Sequence, residues 1–283
     1  MKCCICGTVK NVASHLKNVF KNIKNLISLF DDYVILLYYD DSNDGTHELL
    51  LKYKKKYKID LYCNTKFHSP WRTHRLAHGR NTCLKRIRQM YSDYDYFIMM
   101  DWDDVCATKM DVSVVERHLP RRNDQRNDQR NDQRNDPMND WDALSFHRAH
   151  YYDIWALSLR PYVASFIHFE KPTEVLHAMM RHVQKKLNAL EPGQLLECGS
   201  AFNGFSLYRT SVFLDCTYDG HMCMHLIPEE YVQENIEANR SQIVFHEQDW
   251  MNIREEDCEH RAFHWMAIQK HGARIRISPE KLF

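Results

Sequence analysis

Hydrophobic positions along this chain switch between two periods. Residues 2–8 are a short apolar run closed by Gly7-Thr8, which predicts a buried strand. Val12, Leu16, Val19, Phe20, Ile23, Leu26, Ile27 and Phe30 then recur at three- and four-residue spacing. That spacing predicts an amphipathic helix with Asn11 as its cap. Tyr33–Tyr39 reads as a second buried strand, followed by the polar turn Asp40-Asp41-Ser42-Asn43-Asp44-Gly45-Thr46 and a Lys-rich helix over 47–57. A third strand is expected at Ile59–Cys63, a helix at 75–91 and a fourth strand at Tyr94–Met100. Alternating strands and helices imply right-handed crossovers, a mostly parallel sheet and a single α/β domain. Ligands of such sheets bind outside the C-terminal strand ends, and each of these ends carries polar or acidic residues.

The pattern breaks at 121–137, where Arg-Asn-Asp-Gln repeats without any apolar residue. Such a tract has nothing to bury and reads as a solvated insertion. It separates a half at 1–111 from a second half at 140–283, which resumes at Trp141-Asp142-Ala143-Leu144-Ser145-Phe146. A helix is expected at 172–188, an apolar stretch at 199–213, a helix over Glu255–His271 and a strand over Arg274–Ser278. No linker rich in Gly, Pro or Ser divides the chain.

Composition narrows the function classes. Lys and Arg total 38 and Asp and Glu total 38, which argues against a nucleic-acid or anionic-membrane partner. Apolar runs are too short for a membrane span or a secretory signal, so a cytosolic chain with reduced cysteines is expected. Cys3-Cys4-x-Cys6 resembles half of a zinc site, but within a strand it reads better as small buried hydrophobes. Neither Gly-x-x-x-x-Gly-Lys nor Gly-x-Gly-x-x-Gly occurs.

The neutral sum conceals a separation. From Leu61 to Ser92 there is no acidic residue, and the stretch holds Lys66, Arg72, Arg75, Arg80, Lys85, Arg86 and Arg88. From Asp93 to Asp111 the sign reverses. Adjacent basic and acidic stretches suit a metal-bound polyanion, with arginines on phosphate oxygens and carboxylates on a divalent ion. Two solvated faces are the blander reading. Asp101-Trp102-Asp103-Asp104 ends an apolar strand, and alternation aims Asp101 and Asp103 the same way. Paired carboxylates repel unless a cation compensates, and hard oxygen ligands favour Mg²⁺ or Mn²⁺.

With these motifs in order, the chain resembles the GT-A-fold nucleotide-sugar glycosyltransferases, especially family 2. Thr8-Val9-Lys10-Asn11 is similar to the Thr-x-x-Asn that touches the nucleotide base. Asp40-Asp41-Ser42-Asn43-Asp44-Gly45-Thr46 is similar to the family's acidic turn, one residue shorter, in which one acid binds base or ribose. Arg80-Asn81 resembles its Ala-Arg-Asn element, with Gly79 in place of Ala. Asp101-Trp102-Asp103-Asp104 resembles its Asp-x-Asp-Asp, where the first acid lies near the ribose and the second binds metal. Glu255-Glu256-Asp257-Cys258-Glu259-His260-Arg261 resembles the Glu-Asp and later Arg that carry the acceptor-side base. Tyr151–Leu157 and Cys258–His264 look more like fungal capsule-associated mannosyltransferases and enzymes of large DNA viruses.

The resemblance implies metal-dependent transfer of a sugar from a nucleoside diphosphate to a hydroxyl of a glycan or glycoprotein. Donor contacts would come from Thr8, Val9, Asn11, Asp40, Asp41, Arg75, Arg80 and Asp101. Asp103, with Asp101, would hold Mn²⁺ or Mg²⁺. Asp257 is the candidate general base and Glu256 its reserve, for the favoured inverting displacement. In a retaining enzyme His260 or His264, four apart on one helical face, could complete the metal shell. Competing readings stay open for these: helix-dipole acids for Glu256 and Asp257, core residues for the histidines. A sugar nucleotidyltransferase, or a non-catalytic nucleic-acid or carbohydrate-binding module, is the alternative function.

Overall fold

The computed structural model describes residues 1–120, 140–244 and 256–283. The Arg-Asn-Asp-Gln tract and Glu255 lie outside the described residues. In the first half β1 (Lys2–Val9), α1 (Ala13–Leu26), β2 (Asp32–Tyr39), α2 (Thr46–Lys54), β3 (Ile59–Cys63), α3 (Arg72–Met90) and β4 (Tyr96–Met100) follow one another as their periodicities require. The second half is built from α4 (Val112–Arg117), β5 (Ala143–His147), α5 (Pro172–Asn188), β6 (Leu196–Cys198), β7 (Phe205–Arg209), the single turn α6 (Thr210–Phe213), α7 (Glu229–Asn239), α8 (Glu259–His271) and β8 (Ile275–Lys281). None of the described helices is long and apolar enough to cross a membrane.

Among the described residues, eight strands join one sheet in the order β3-β2-β1-β4-β7-β5-β8-β6. The first four are mutually parallel, because each crossover carries a helix across the sheet. β7 runs antiparallel between β4 and β5, and β6 antiparallel to β8, while β5 and β8 are parallel. The mostly parallel sheet expected from the sequence is therefore present, with two reversed strands.

Strand alternation divides the core between the two faces. Cys3, Ile5 and Val9 of β1 pack with Leu16, Val19, Phe20 and Ile23 of α1. Cys4 and Cys6 point to the other face, where Cys83, Leu84 and Ile87 of α3 and Phe263 and Ala267 of α8 lie. The three cysteines of β1 are thus small buried hydrophobes, and all ten cysteines are free thiols. Gly79 lets α3 sit directly on this sheet. A Cβ there would lie 2.6 Å from Thr8 Cγ2 and 2.7 Å from Tyr38 Cδ1.

Two boundaries differ from expectation in ways that matter for function. Asn11 does not cap α1; it adopts a left-handed φ of 51°, and the N-cap position belongs to Val12. The first amides of α1 are satisfied from the turn after β2 instead. Ala13 N donates to Asp44 Oδ2 at 2.9 Å and Val12 N to Thr46 Oγ1 at 2.9 Å. Helix α8 begins at Glu259 rather than 255, with Cys258 at its N-cap position. Glu256 and Asp257 therefore precede the helix and are not first-turn acids.

Candidate active site

The C-terminal ends of β1, β2 and β4 lie side by side, as their parallel pairing demands, and their polar residues frame a cleft. A cavity of about 460 Å³ is lined by Thr8, Val9, Asn11, Asp40, Arg72, Arg75, Asp101 and Asp103, among others. Seven of these are donor or metal candidates of the sequence reading; Arg72, at the first position of α3, belongs there only to the basic stretch. A second cavity of about 390 Å³ shares Arg72, Leu76 and Asp101 with the first. Its remaining wall includes Arg80, Tyr152, Asp153, Trp155, Phe202, Glu259 and His260. Asp101 stands at the junction.

One side of the cleft is tied together by turn chemistry. Asn11 Oδ1 accepts from Asn43 N at 3.0 Å, and Asn11 N donates to Ser42 Oγ at 3.0 Å. These bonds lock the turn after β1 to the turn after β2. Asp40 accepts from Lys10 Nζ and Asn64 Nδ2, each at 2.9 Å. Partial burial opposes its charge, but those two donors hold its carboxyl below the usual carboxylate range. Asp41 is exposed and lines neither cavity. Trp102 is 1% exposed and meets Phe20 edge-on at 5.4 Å, so it serves as packing beneath the cleft. Gly7 makes room for it: a Cβ there would lie 2.2 Å from the indole.

Negative charge concentrates at the junction. Enclosure by the surrounding protein raises the Asp101 carboxyl to about 7, with Arg80 opposing the shift and Asp103 and Asp153 adding to it. A quarter of that side chain still faces the cleft. Tyr152 OH donates to Asp101 Oδ2 at 3.4 Å. Asp153 accepts from Asn203 N at 3.2 Å and Ala156 N at 3.3 Å, yet burial still raises its pKa. Arg80 forks between two acids, with Nη2 at 3.3 Å from Asp101 Oδ1 and Nη1 at 3.2 Å from Glu259 Oε1. Its guanidinium also lies over the Phe202 ring at 4.6 Å. Glu259 is raised by burial, with Arg80 pulling the other way. Carboxylate oxygens crowded at a cleft mouth form a hard donor set, and their mutual repulsion is what a divalent cation relieves. Asp101 and Asp103 fit such an ion.

The other sequence candidates are committed elsewhere. Glu256 Oε1 accepts from Thr73 N at 3.2 Å and so caps the first turn of α3. Asp257 is 1% exposed and pairs with Arg261 Nε at 3.0 Å. Neither lines either of these two cavities. The two histidines lie in packed surroundings. His264 is fully buried, with Nδ1 at 2.9 Å from Ser200 Oγ and Nε2 at 3.0 Å from Tyr208 OH. Both of its nitrogens are used within the core. His260 reaches the wall of the second cavity, but its ring stacks on Phe202 at 3.8 Å and both nitrogens are enclosed.

The residues that sequence reasoning did not single out are Arg72, Asp153 and Glu259. Each sits inside a stretch already marked by charge or by motif: the basic run, Tyr151–Leu157 and Glu255–Arg261. Their convergence depends on how loops return to the sheet, which periodicity does not encode.

The computed fold is similar to several solved structures at low identity. TarS of S. aureus, residues 1–349, matches with 13% identity and a TM-score of 0.38 over 88% of this chain and 59% of that one. A mannosyltransferase from Pyrobaculum calidifontis, solved with GDP-Man and Mn²⁺, matches with 12% identity and a TM-score of 0.41 over 77% of this chain and 47% of that one. The chain thus spans less than two thirds of either structure's length. No curated protein sequence matches it. The sequence model for glycosyl transferase family 2 matches residues 4–182, well over half of the chain, and the chain accordingly belongs to glycosyl transferase family 2, with the GT-A type of sheet.

Proposed function

We propose that the chain transfers a sugar from a nucleoside-diphosphate donor to a hydroxyl of a glycan or glycoprotein, with a divalent cation at Asp103 and Asp101. One observation carries this reading. Thr8, Val9, Asn11 and Asp40 share a cavity with the carboxylates that follow β4 and two arginines, and that cavity shares Asp101, Arg72 and Leu76 with a second one. Such a path accommodates a donor on one side and an acceptor on the other.

Each group then has a task. Asp40 and Asn11 would orient the base and ribose from turns that are already locked. Arg72 and Arg75, which line the same cavity, would hold the diphosphate oxygens by charge-assisted bonds. Mn²⁺ or Mg²⁺ would neutralise charge that develops on the leaving diphosphate.

For the acceptor side we assign the base to Glu259 in place of Asp257 or Glu256. Both oxygens of Asp153 already accept backbone amides. Glu259 lines the second cavity, and its partner Arg80 keeps the carboxylate ionised against burial. Its raised affinity for protons suits a group that must take one from a hydroxyl near neutral pH. An acceptor hydroxyl deprotonated there would attack the anomeric carbon from the face opposite the diphosphate, which is an inverting displacement.

Transfer assays with a panel of UDP-, GDP- and dTDP-sugars, together with titration calorimetry of the diphosphates with and without Mn²⁺, test the reading. Metal-enhanced binding and release of diphosphate are expected. Metal-independent binding, or salt-sensitive binding to polynucleotides, would overturn it in favour of a binding module.

A further inference from the structure

Away from the cleft, the turn after α6 meets the C-terminal end of α8. There Asp215, Cys216 and His271 bring a carboxylate oxygen, a thiol sulfur and an imidazole nitrogen within 4.8 Å of one another. We propose that these three side chains form a second metal site, selective for a borderline transition ion of the Zn²⁺ class and separate from the all-oxygen site at Asp101 and Asp103.

Three observations support it. The first is the donor set. His271 Nε2 lies 2.7 Å from Asp215 Oδ1, and Cys216 Sγ lies 3.6 Å from the same oxygen. Thiolate, imidazole and carboxylate together suit zinc, with a fourth position left for water. The second is preorganisation. Arg88 of α3 donates from Nε to Leu214 O and from Nη2 to Cys216 O, so the backbone carrying two of the ligands is held from behind. Metal ligands supported in this way need little rearrangement on binding. The third is the local field. His271 ends α8, where the helix dipole favours a cation. Lys270 Nζ donates to Asp215 O at 2.9 Å and lies 3.6 Å from Asp215 Oδ2, so its flexible ammonium is the charge that an incoming ion must displace from the carboxylate.

Binding replaces the S–H bond of Cys216 by an S–metal bond and releases the proton to solvent. Because the thiol must give up its proton to bind, affinity should increase with pH. Cys216 is wholly buried and its thiol faces the two exposed ligands, which favours a single bound ion over surface cross-linking.

The test is titration of the full chain with Co²⁺, in excess Mg²⁺ to occupy the carboxylate cleft. A thiolate-to-cobalt charge-transfer band at one equivalent is expected, bleached by an equivalent of Zn²⁺. Cys216→Ser should abolish the band, and His271→Ala, at an exposed position that spares folding, should weaken Co²⁺ binding at least ~10-fold. Asp103→Asn should leave the band intact, which separates this site from the transferase reading. Absence of the band in the native chain, or its persistence in Cys216→Ser, overturns the proposal.

Discussion

At the scale of single residues, Glu259 and the two carboxylates that follow β4 make separable contributions. Asp103→Asn removes a charge from the hard donor set without changing side-chain size. We expect Mn²⁺ to lose most of its effect on diphosphate affinity, by ~10-fold or more, read by calorimetry with and without the ion. Glu259→Gln keeps the shape and a partner for Arg80 but removes the proton acceptor. Transfer should fall by ~10²–10⁴ while donor binding is retained, and an active Gln variant would exclude this base. Gly79 offers a test of packing. A methyl group at that position meets Thr8 and Tyr38 well inside van der Waals contact. Gly79→Ala should cost about 1–3 kcal/mol in denaturant unfolding and, because Thr8 must move, should also weaken nucleotide binding. The residues legible in the sequence were those at strand ends. Thr8, Asp40, Asp101 and Asp103 are positioned by local geometry alone, since a parallel sheet aligns the C-terminal ends of its strands. Arg72, Asp153 and Glu259 were not legible as a group, because only the folded path of 148–166 and of the entry to α8 brings them together.

At the scale of elements, α8 is held to the loop before α5 by one buried arginine. Arg261 donates from Nη1 to Leu157 O and Val163 O, each at 2.8 Å, and from Nη2 to Trp155 O at 2.6 Å. Its Nε donates to Asp257 Oδ2. The wall of the second cavity around Trp155 is therefore fixed through Arg261, and the charge is balanced by Asp257. This explains why a motif reading assigns Asp257 to chemistry: it is an acid beside the cleft, and its partner lies one helical turn later. The spacing of four was visible in the sequence, but its direction into the core was not. The two roles predict different phenotypes. Removing one partner of a buried ion pair costs about 3–5 kcal/mol, so Arg261→Met should lower stability severely and loosen the acceptor side. Asp257→Asn should act mainly through the melting temperature, with near-native turnover at temperatures where it remains folded. A stable but inactive Asp257→Asn would return the base to that residue.

At the scale of the whole molecule, the fold was legible because its sheet is mostly parallel and its period changes are sharp, while the reversed strands depend on how the long second half returns, β7 between β4 and β5 and β6 at the edge beside β8. The same long return buries titratable groups from both halves against one another, and their pKa shifts act in opposite directions with pH. Burial, with Arg261 and Arg80 adding to it, lowers His264 to about 3, far below the ordinary 6.5. The folded chain then keeps this imidazole neutral where the unfolded chain protonates it. Its contribution is fully present above about pH 6.5 and is lost progressively as pH falls toward 3, by about 2 kcal/mol between pH 6.5 and 5. Asp101 works the other way. Its carboxyl is raised to about 7 in the folded chain, so the penalty for its enclosed charge is relieved as pH falls from 7 toward 4. The native pH profile is the sum of both and can be shallow. Variants separate them. In chelator, His264→Gln retains hydrogen-bonding capacity toward Ser200 and Tyr208 without a titrating group, so its stability relative to the native chain should improve on acidification from pH 6.5 to 5. Asp101→Asn should shift in the opposite sense over the same range. Denaturant midpoints across that interval decide the matter: equal slopes for all three proteins would mean that neither buried group titrates as its surroundings require.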